Sequence, residues 1–241
     1  MEDLVTRHGA IMDQYDPQKR VGLVIDEWGT WFNVEPGTNP GFLYQQNSMR
    51  DAIVAGINLN IFNNHCDRVS MAQIAQTINV LQAVILTQEE KMILTPTYWV
   101  YNMMQVHQGA TMLPIHLASN KIQLPAGTLL APNTSGGVNS WRPNRSIDAV
   151  SASASRDASG KVHITLVNCD LDSPQTVECD LGSFAAKRVS GKVLTSAKIQ
   201  DHNTFEKPNT VTVKDFSGAK ISGNKLSVQL PSKSVIQLEL Q

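Results

Sequence analysis

The sequence has no charge excess, no long apolar run and no metal-binding pattern. Its 20 Lys and Arg stand against 21 Asp and Glu, a formal net charge of −1 over 241 residues. That balance offers no electrostatic footprint for nucleic acid or an anionic membrane. No stretch approaches the roughly 20 apolar residues of a membrane-spanning helix. The opening residues, MEDLVTRHGAIMDQY, are amphipathic and hold no signal-peptide core. They leave the compartment open. Cys66, Cys169 and Cys179 make an odd count without a C-x-x-C pair. Cys169 and Cys179 flank the hairpin-like LDSPQTVE and could be neighbours on paired strands, but nothing marks a disulfide scaffold, and free thiols are expected. Six histidines show no ligand spacing, so a metal site is unsupported. What is present in quantity is apolar material: 41% of residues are hydrophobic, enough for a sizeable core in one large or two modest domains.

The most informative stretch is Val21-Gly22-Leu23-Val24-Ile25-Asp26-Glu27-Trp28-Gly29-Thr30-Trp31. Its apolar run reads as a buried parallel strand, Val21–Asp26. A carboxylate at the C-terminal end of such a strand is where barrel enzymes keep catalytic groups. Flat rings beside it suit the face of a sugar. By spacing alone, an ordinary strand end with a solvated Asp-Glu pair fits equally well.

The stretch from Arg20 to about Gln108 resembles the C-terminal part of the catalytic domain of family 51 glycoside hydrolases, the α-L-arabinofuranosidases. Four ordered segments carry the resemblance: VGLVIDEWGTWF (21–32), VEPGTNPGFLYQQNSMRDA (34–52), HCDRVSMAQIAQTINVLQAVILT (65–87) and KMILTPTYWVYNM (91–103). It implies that Glu27 is the catalytic nucleophile and that Trp31 lines the arabinose site. It also implies a retaining mechanism without a cofactor, a saccharide bearing arabinofuranosyl groups as substrate, and a tendency to oligomerise. A retaining glycosidase needs two carboxyl groups about 5–5.5 Å apart. The family's acid/base lies in a G-N-E type motif that this sequence does not contain. Asp26 is an unpromising substitute, since adjacent strand residues point to opposite faces. Glu35 lies in the following loop, where a solvated role fits better. A Gln that many members place near the third helix is replaced here by Thr95, so that contact is not carried over.

Along the chain, residues 4–15 read as a helix, followed by an αβ turn at Asp16-Pro17. A long Gly/Pro/Asn-rich loop, 30–41, follows the first strand. A helix from about Leu43 to Ala55 and a second strand, Ile57–Asn63, come next. The polar end of that strand would bring His65 to the same rim as Glu27, as a candidate substrate contact. A helix over 71–85 is expected, capped by Ser70 with Gln73 as box partner, then a helix after Pro96 in which Tyr98 and Trp99 pack. From about Thr111 the periodicity changes from helical to two-residue, with turn signals between short strands expected at 112–117, 147–154, 161–168, 176–181, 185–194, 210–213, 225–230 and 234–240. The expected fold is therefore α/β plus all-β. Residues 1–110 would be the last strands and helices of a (β/α)8 barrel, and 111–241 a β-sandwich of jelly-roll type. A complete barrel takes roughly 250 residues, so the α/β part reads as the back end of a longer enzyme. Half a barrel exposes edges and apolar faces that favour association with the other half. Trp141, in GGVNSWRPNR, is a further candidate sugar-stacking ring. The alternative reading is a non-catalytic module that binds carbohydrate or assists assembly.

Overall fold

The computed structural model describes residues 1–123 and 146–241; Trp141 lies outside them. The chain opens with helix α1 (Glu2–Tyr15), strand β1 (Leu23–Trp28), helix α2 (Met49–Asn64) and strand β2 (Val69–Ile74). A hairpin, β3 (Ile85–Gln88) and β4 (Lys91–Leu94), leads to helix α3 (Pro96–Met104). Then come β5 (Thr111–Met112), β6 (Lys121–Gln123), β7 (Ser146–Asp148), β8 (Val150–Arg156), β9 (Val162–Asn168), β10 (Gln175–Asp180) and β11 (Val189–Thr195). The chain closes with β12 (Lys214–Asp215), β13 (Ala219–Ser222), β14 (Lys225–Leu230) and β15 (Ser234–Leu240).

Strands β1 and β2 pair in parallel, joined by α2 in a β-α-β unit. The αβ turn before β1 is fixed by Arg68, buried at the entrance to β2. Its guanidinium bonds Asp13, the Asp16 carboxylate at 3.0 Å, and the carbonyls of Asp16 and Val21, each at 2.8 Å. The burial is tolerated because both terminal nitrogens find carboxylate and carbonyl partners, while Nε is left without one.

The later strands form two packed sheets, of order β12-β11-β15-β9-β8-β5 and β10-β14-β13, with β6 and β7 paired separately. Period-two patterning decides what each face of the larger sheet meets. Ile164, Leu166, Ile236, Leu238 and Leu240 point to the smaller sheet, against Leu226, Val228 and Leu230. The alternating residues Val167 and Val235 point the other way, into a core shared with Ala52, Ile53 and Val100 of α2 and α3. Every residue of β9 is buried, because both faces of its sheet are covered. The larger sheet thus stands between two cores, one shared with the helices and one with the smaller sheet.

Two sequence expectations fail here. The segment 57–63 is helical, not a strand. Alternating Ile, Asn and Leu suggested period two, but Asn58 bonds the Val54 carbonyl one helical turn back and Asn60 serves a helix–sheet seam. Asn60 lies at 0% exposure, its carbonyl oxygen accepting from Ser153 (2.9 Å) and Thr165 (2.7 Å) and its amide donating to Ser151 (3.2 Å). Asn63 and Asn64 bond Ser153 and the Ala152 carbonyl. Gly56 lets the helix approach: a Cβ there would lie 2.8 Å from Val167 Cγ2. The true start of α2 is a capping box, Ser48 with Asp51, several residues after the expected Leu43.

The second failure is the helix expected over 71–85. Residues 69–74 are strand β2, and Gln76, Asn79 and Gln82 then adopt positive φ of 65°, 59° and 61°. Three left-handed residues in seven cannot continue a helix. The helical spacing of Ile74, Ile78, Leu81 and Ile85 was coincidental; Ile78 is 48% exposed. Two parallel strands do exist in the α/β part, but the second lies at 69–74. Smaller differences follow the same physics. The strand expected at 147–154 is split between β7 and β8, the one at 112–117 shrinks to β5, and the one at 210–213 is absent. All three cysteines are free thiols. No helix among the described residues is long and apolar enough to cross a membrane.

Candidate active site

Glu27 is the penultimate residue of β1, exposed at its C-terminal end. The β1–β2 register is broken just there. Ile25 faces Ala72 and Trp28 faces Ile74, so Asp26 and Glu27 together oppose the single residue Gln73. This is a β-bulge, a device that re-aims side chains beside functional sites. It corrects the expectation from strict alternation. Asp26 and Glu27 both line one open depression, with Gln73, Ile74, Gln76, Thr77 and Tyr101. The bulge also returns Trp28 to the covered face, 4% exposed, edge-on to Phe62 at 5.3 Å and stacked on Tyr101 at 6.3 Å. Burial pushes the Tyr101 phenol well above its ordinary pKa, so it stays protonated.

Trp31 stands four residues beyond Glu27 on the following loop and is 67% exposed. The loop itself is tightly held. The Phe32 amide donates to Gln45 Oε1 at 2.7 Å, and Arg50 lies 3.5 Å above the Phe32 ring. Glu35 closes the loop: its amide donates to the Tyr44 carbonyl at 2.9 Å and its carboxylate accepts from the Gln46 amide at 2.8 Å. That commitment ties Glu35 to loop structure.

His65 is not at this rim. It is the residue that ends α2, ahead of β2, and its Nε2 lies 2.6 Å from Glu2 Oε1 on α1. Because β1 and β2 are parallel, the start of β2 is the opposite end of the sheet from Glu27. The earlier placement followed from reading 57–63 as a strand. Thr95 caps α3, its hydroxyl donating to the Ala83 carbonyl at 2.9 Å and accepting from the Tyr98 amide. Gln73 and Gln76, in the segment misread as a helix, are the polar side chains that sequence reasoning missed. Among the described residues no group of three His, Cys, Asp or Glu could hold a metal ion.

A carboxylate on a bulged strand end thus shares its depression with two side-chain amides, and an exposed indole stands four residues on. The sequence profile of the α-L-arabinofuranosidase C-terminal domain matches residues 26–234. The chain belongs to that family. An intracellular exo-α-L-arabinofuranosidase of Bacteroides ovatus is 45% identical over all 241 residues, which cover 44% of that relative. The crystal structure of a family 51 arabinofuranosidase from Xanthomonas axonopodis pv. citri superposes with a TM-score of 0.89 at 43% identity, over the whole of this chain and 45% of that one. An arabinofuranosidase from Thermotoga maritima, solved with arabinose, shares the fold, with a TM-score of 0.74 at 20% identity. The chain thus spans a little under half the length of these relatives.

Proposed function

We propose that this chain carries the nucleophile half of a retaining exo-α-L-arabinofuranosidase. Glu27 attacks the anomeric carbon of a terminal arabinofuranosyl group as the glycosidic bond breaks and its oxygen takes a proton from a general acid. Water, deprotonated by the same group, then releases arabinose from the glycosyl-enzyme. Trp31 offers an exposed ring for the sugar or its neighbour. Gln73 and Gln76 offer amides to its hydroxyls.

The single observation that carries this reading is Glu27 on the bulged C-terminal end of a parallel strand, in a chain of this family. On this reading residues 1–110 are the end of a (β/α)8 barrel and 111–241 its β-sandwich. Val24 and Met71 face each other in register and are 49% and 50% exposed, while the opposite face of the same strands packs on the helices. Parallel sheets are normally covered on both faces. The open apolar face suits docking of the remaining barrel strands, which would also bring the acid/base.

The test is a rate measurement in two settings. Alone, the 241-residue chain turns over a natural arabinoside poorly, since general acid catalysis is typically worth about 10²–10⁴-fold. Joined to the upstream half of the Xanthomonas relative, it regains turnover, and Glu27→Ala removes it. Turnover by the chain alone at the joined enzyme's rate, or a fully active Glu27→Ala variant, refutes the proposal.

A further inference from the structure

Between Glu27 and Trp31 lies a residue held more firmly than its exposure suggests. The Thr30 hydroxyl donates to Asp51 Oδ1 at 2.7 Å and accepts from the Gln82 amide. Its carbonyl accepts from Gln82 and, at 3.1 Å, from Gln45. Asp51, Gln82 and Gln45 are all buried, at 2%, 3% and 3% exposure. They come from three places in the fold: the first turn of α2, the turn after β2, and the end of the loop that carries Trp31. Each is committed to this contact. Gln82 sits at positive φ, and Gly29 leaves room for it, since a Cβ there would lie 2.5 Å from Gln82 Cγ. Gln45 also takes the Phe32 amide. Asp51 is fixed by the Ser48 amide at 2.8 Å and by Arg50 at 3.1 Å.

The foundation reaches the β layers. The first N–H groups of a helix have no acceptor within it. In α2, Met49 and Arg50 donate theirs to the carbonyls of Asp201 and Ile199, each at 2.9 Å. The segment between β11 and β12 therefore sets where α2, and with it Asp51, begins.

We propose that Thr30 is a positioning residue: clamped by Asp51, Gln82 and Gln45, it fixes Trp31 relative to Glu27 and ties both to the β-sandwich. The inference rests on reading Glu27 as the nucleophile and Trp31 as a sugar contact, but the clamp can be tested without either. A clamp of buried hydrogen bonds suits this purpose, because a displacement of about 1 Å can cost about 10²-fold in rate.

The experiment is amide hydrogen exchange on the 241-residue chain, read at Phe32 and its loop neighbours. Thr30→Val keeps the shape but strands Asp51 and Gln82 without the hydroxyl. The loop amides should then exchange about tenfold faster, while Thr30→Ser stays within about threefold of wild type. Gln82→Ala should reproduce the Val result and stands in for it if Thr30→Val fails to fold. Glu27→Gln should leave exchange unchanged, so an error in the nucleophile assignment would not disturb this readout. In the joined enzyme, Thr30→Val should lower kcat more than it raises KM, with Thr30→Ser restoring both. Wild-type protection in both Thr30→Val and Gln82→Ala, or equal loss of protection in Thr30→Ser, overturns the proposal.

Discussion

At the scale of single residues, the places of Glu27 at a strand end and of Trp31 on the following loop were legible in one local motif, while the roles proposed for them rest on the family resemblance. That Asp26 and Glu27 line one depression was not legible. Alternation along β1 predicts opposite faces, and only pairing with β2 reveals the bulge that puts both at one depression. Buried polar residues were also illegible, because their partners lie far along the chain. Asn60 meets three hydroxyls more than ninety residues away. Asn60→Ala should cost about 2–4 kcal/mol, since Ser151, Ser153 and Thr165 lose a shared partner in a dry seam; chemical denaturation measures it. His107 lies in the same seam, bonded to Ser155 at 2.7 Å and Thr165 at 3.0 Å. Burial, helped by nearby His163, lowers its pKa from 6.5 to about 4. The unfolded chain therefore binds the extra proton first as pH falls. The stabilising contribution is complete above pH 6.5 and is lost between 6.5 and 4, by about 3 kcal/mol at most. Stability measured against pH should flatten over that window in His107→Gln.

At the scale of elements, strands with strict alternation and clear turns, such as β9, β14 and β15, were readable. Helix α2 was readable only in its first half, because the period of 57–63 is masked by polar residues that face a sheet. Gly56 is the clearest sign of that packing. Gly56→Ala should destabilise by about 1–3 kcal/mol, as Val167 must give way to the new methyl group; a helix facing solvent would instead gain from the change. Strand β2 was missed for the opposite reason. Its sequence carries a plausible helical stripe, and what decides against the helix is pairing with β1 and a run of left-handed residues after Ile74. Local pattern loses here to tertiary pairing.

At the scale of the whole molecule, the helices share their core with the larger sheet on one side, and the exposed pair Val24 and Met71 lies open on the other. That arrangement fits a chain whose β-sandwich steadies a catalytic edge and whose partner strands complete the pocket. The central claim is that Glu27 is the nucleophile of the assembled enzyme. It is tested most directly by Glu27→Ala, joined to the upstream half of the Xanthomonas relative and supplied with an aryl α-L-arabinofuranoside and azide. The account predicts negligible turnover without azide. With azide, turnover returns and the product is the β-L-arabinofuranosyl azide, formed on the face that Glu27 vacated. Near wild-type hydrolysis without azide, or no azide product from a variant that folds and binds arabinose, would contradict it.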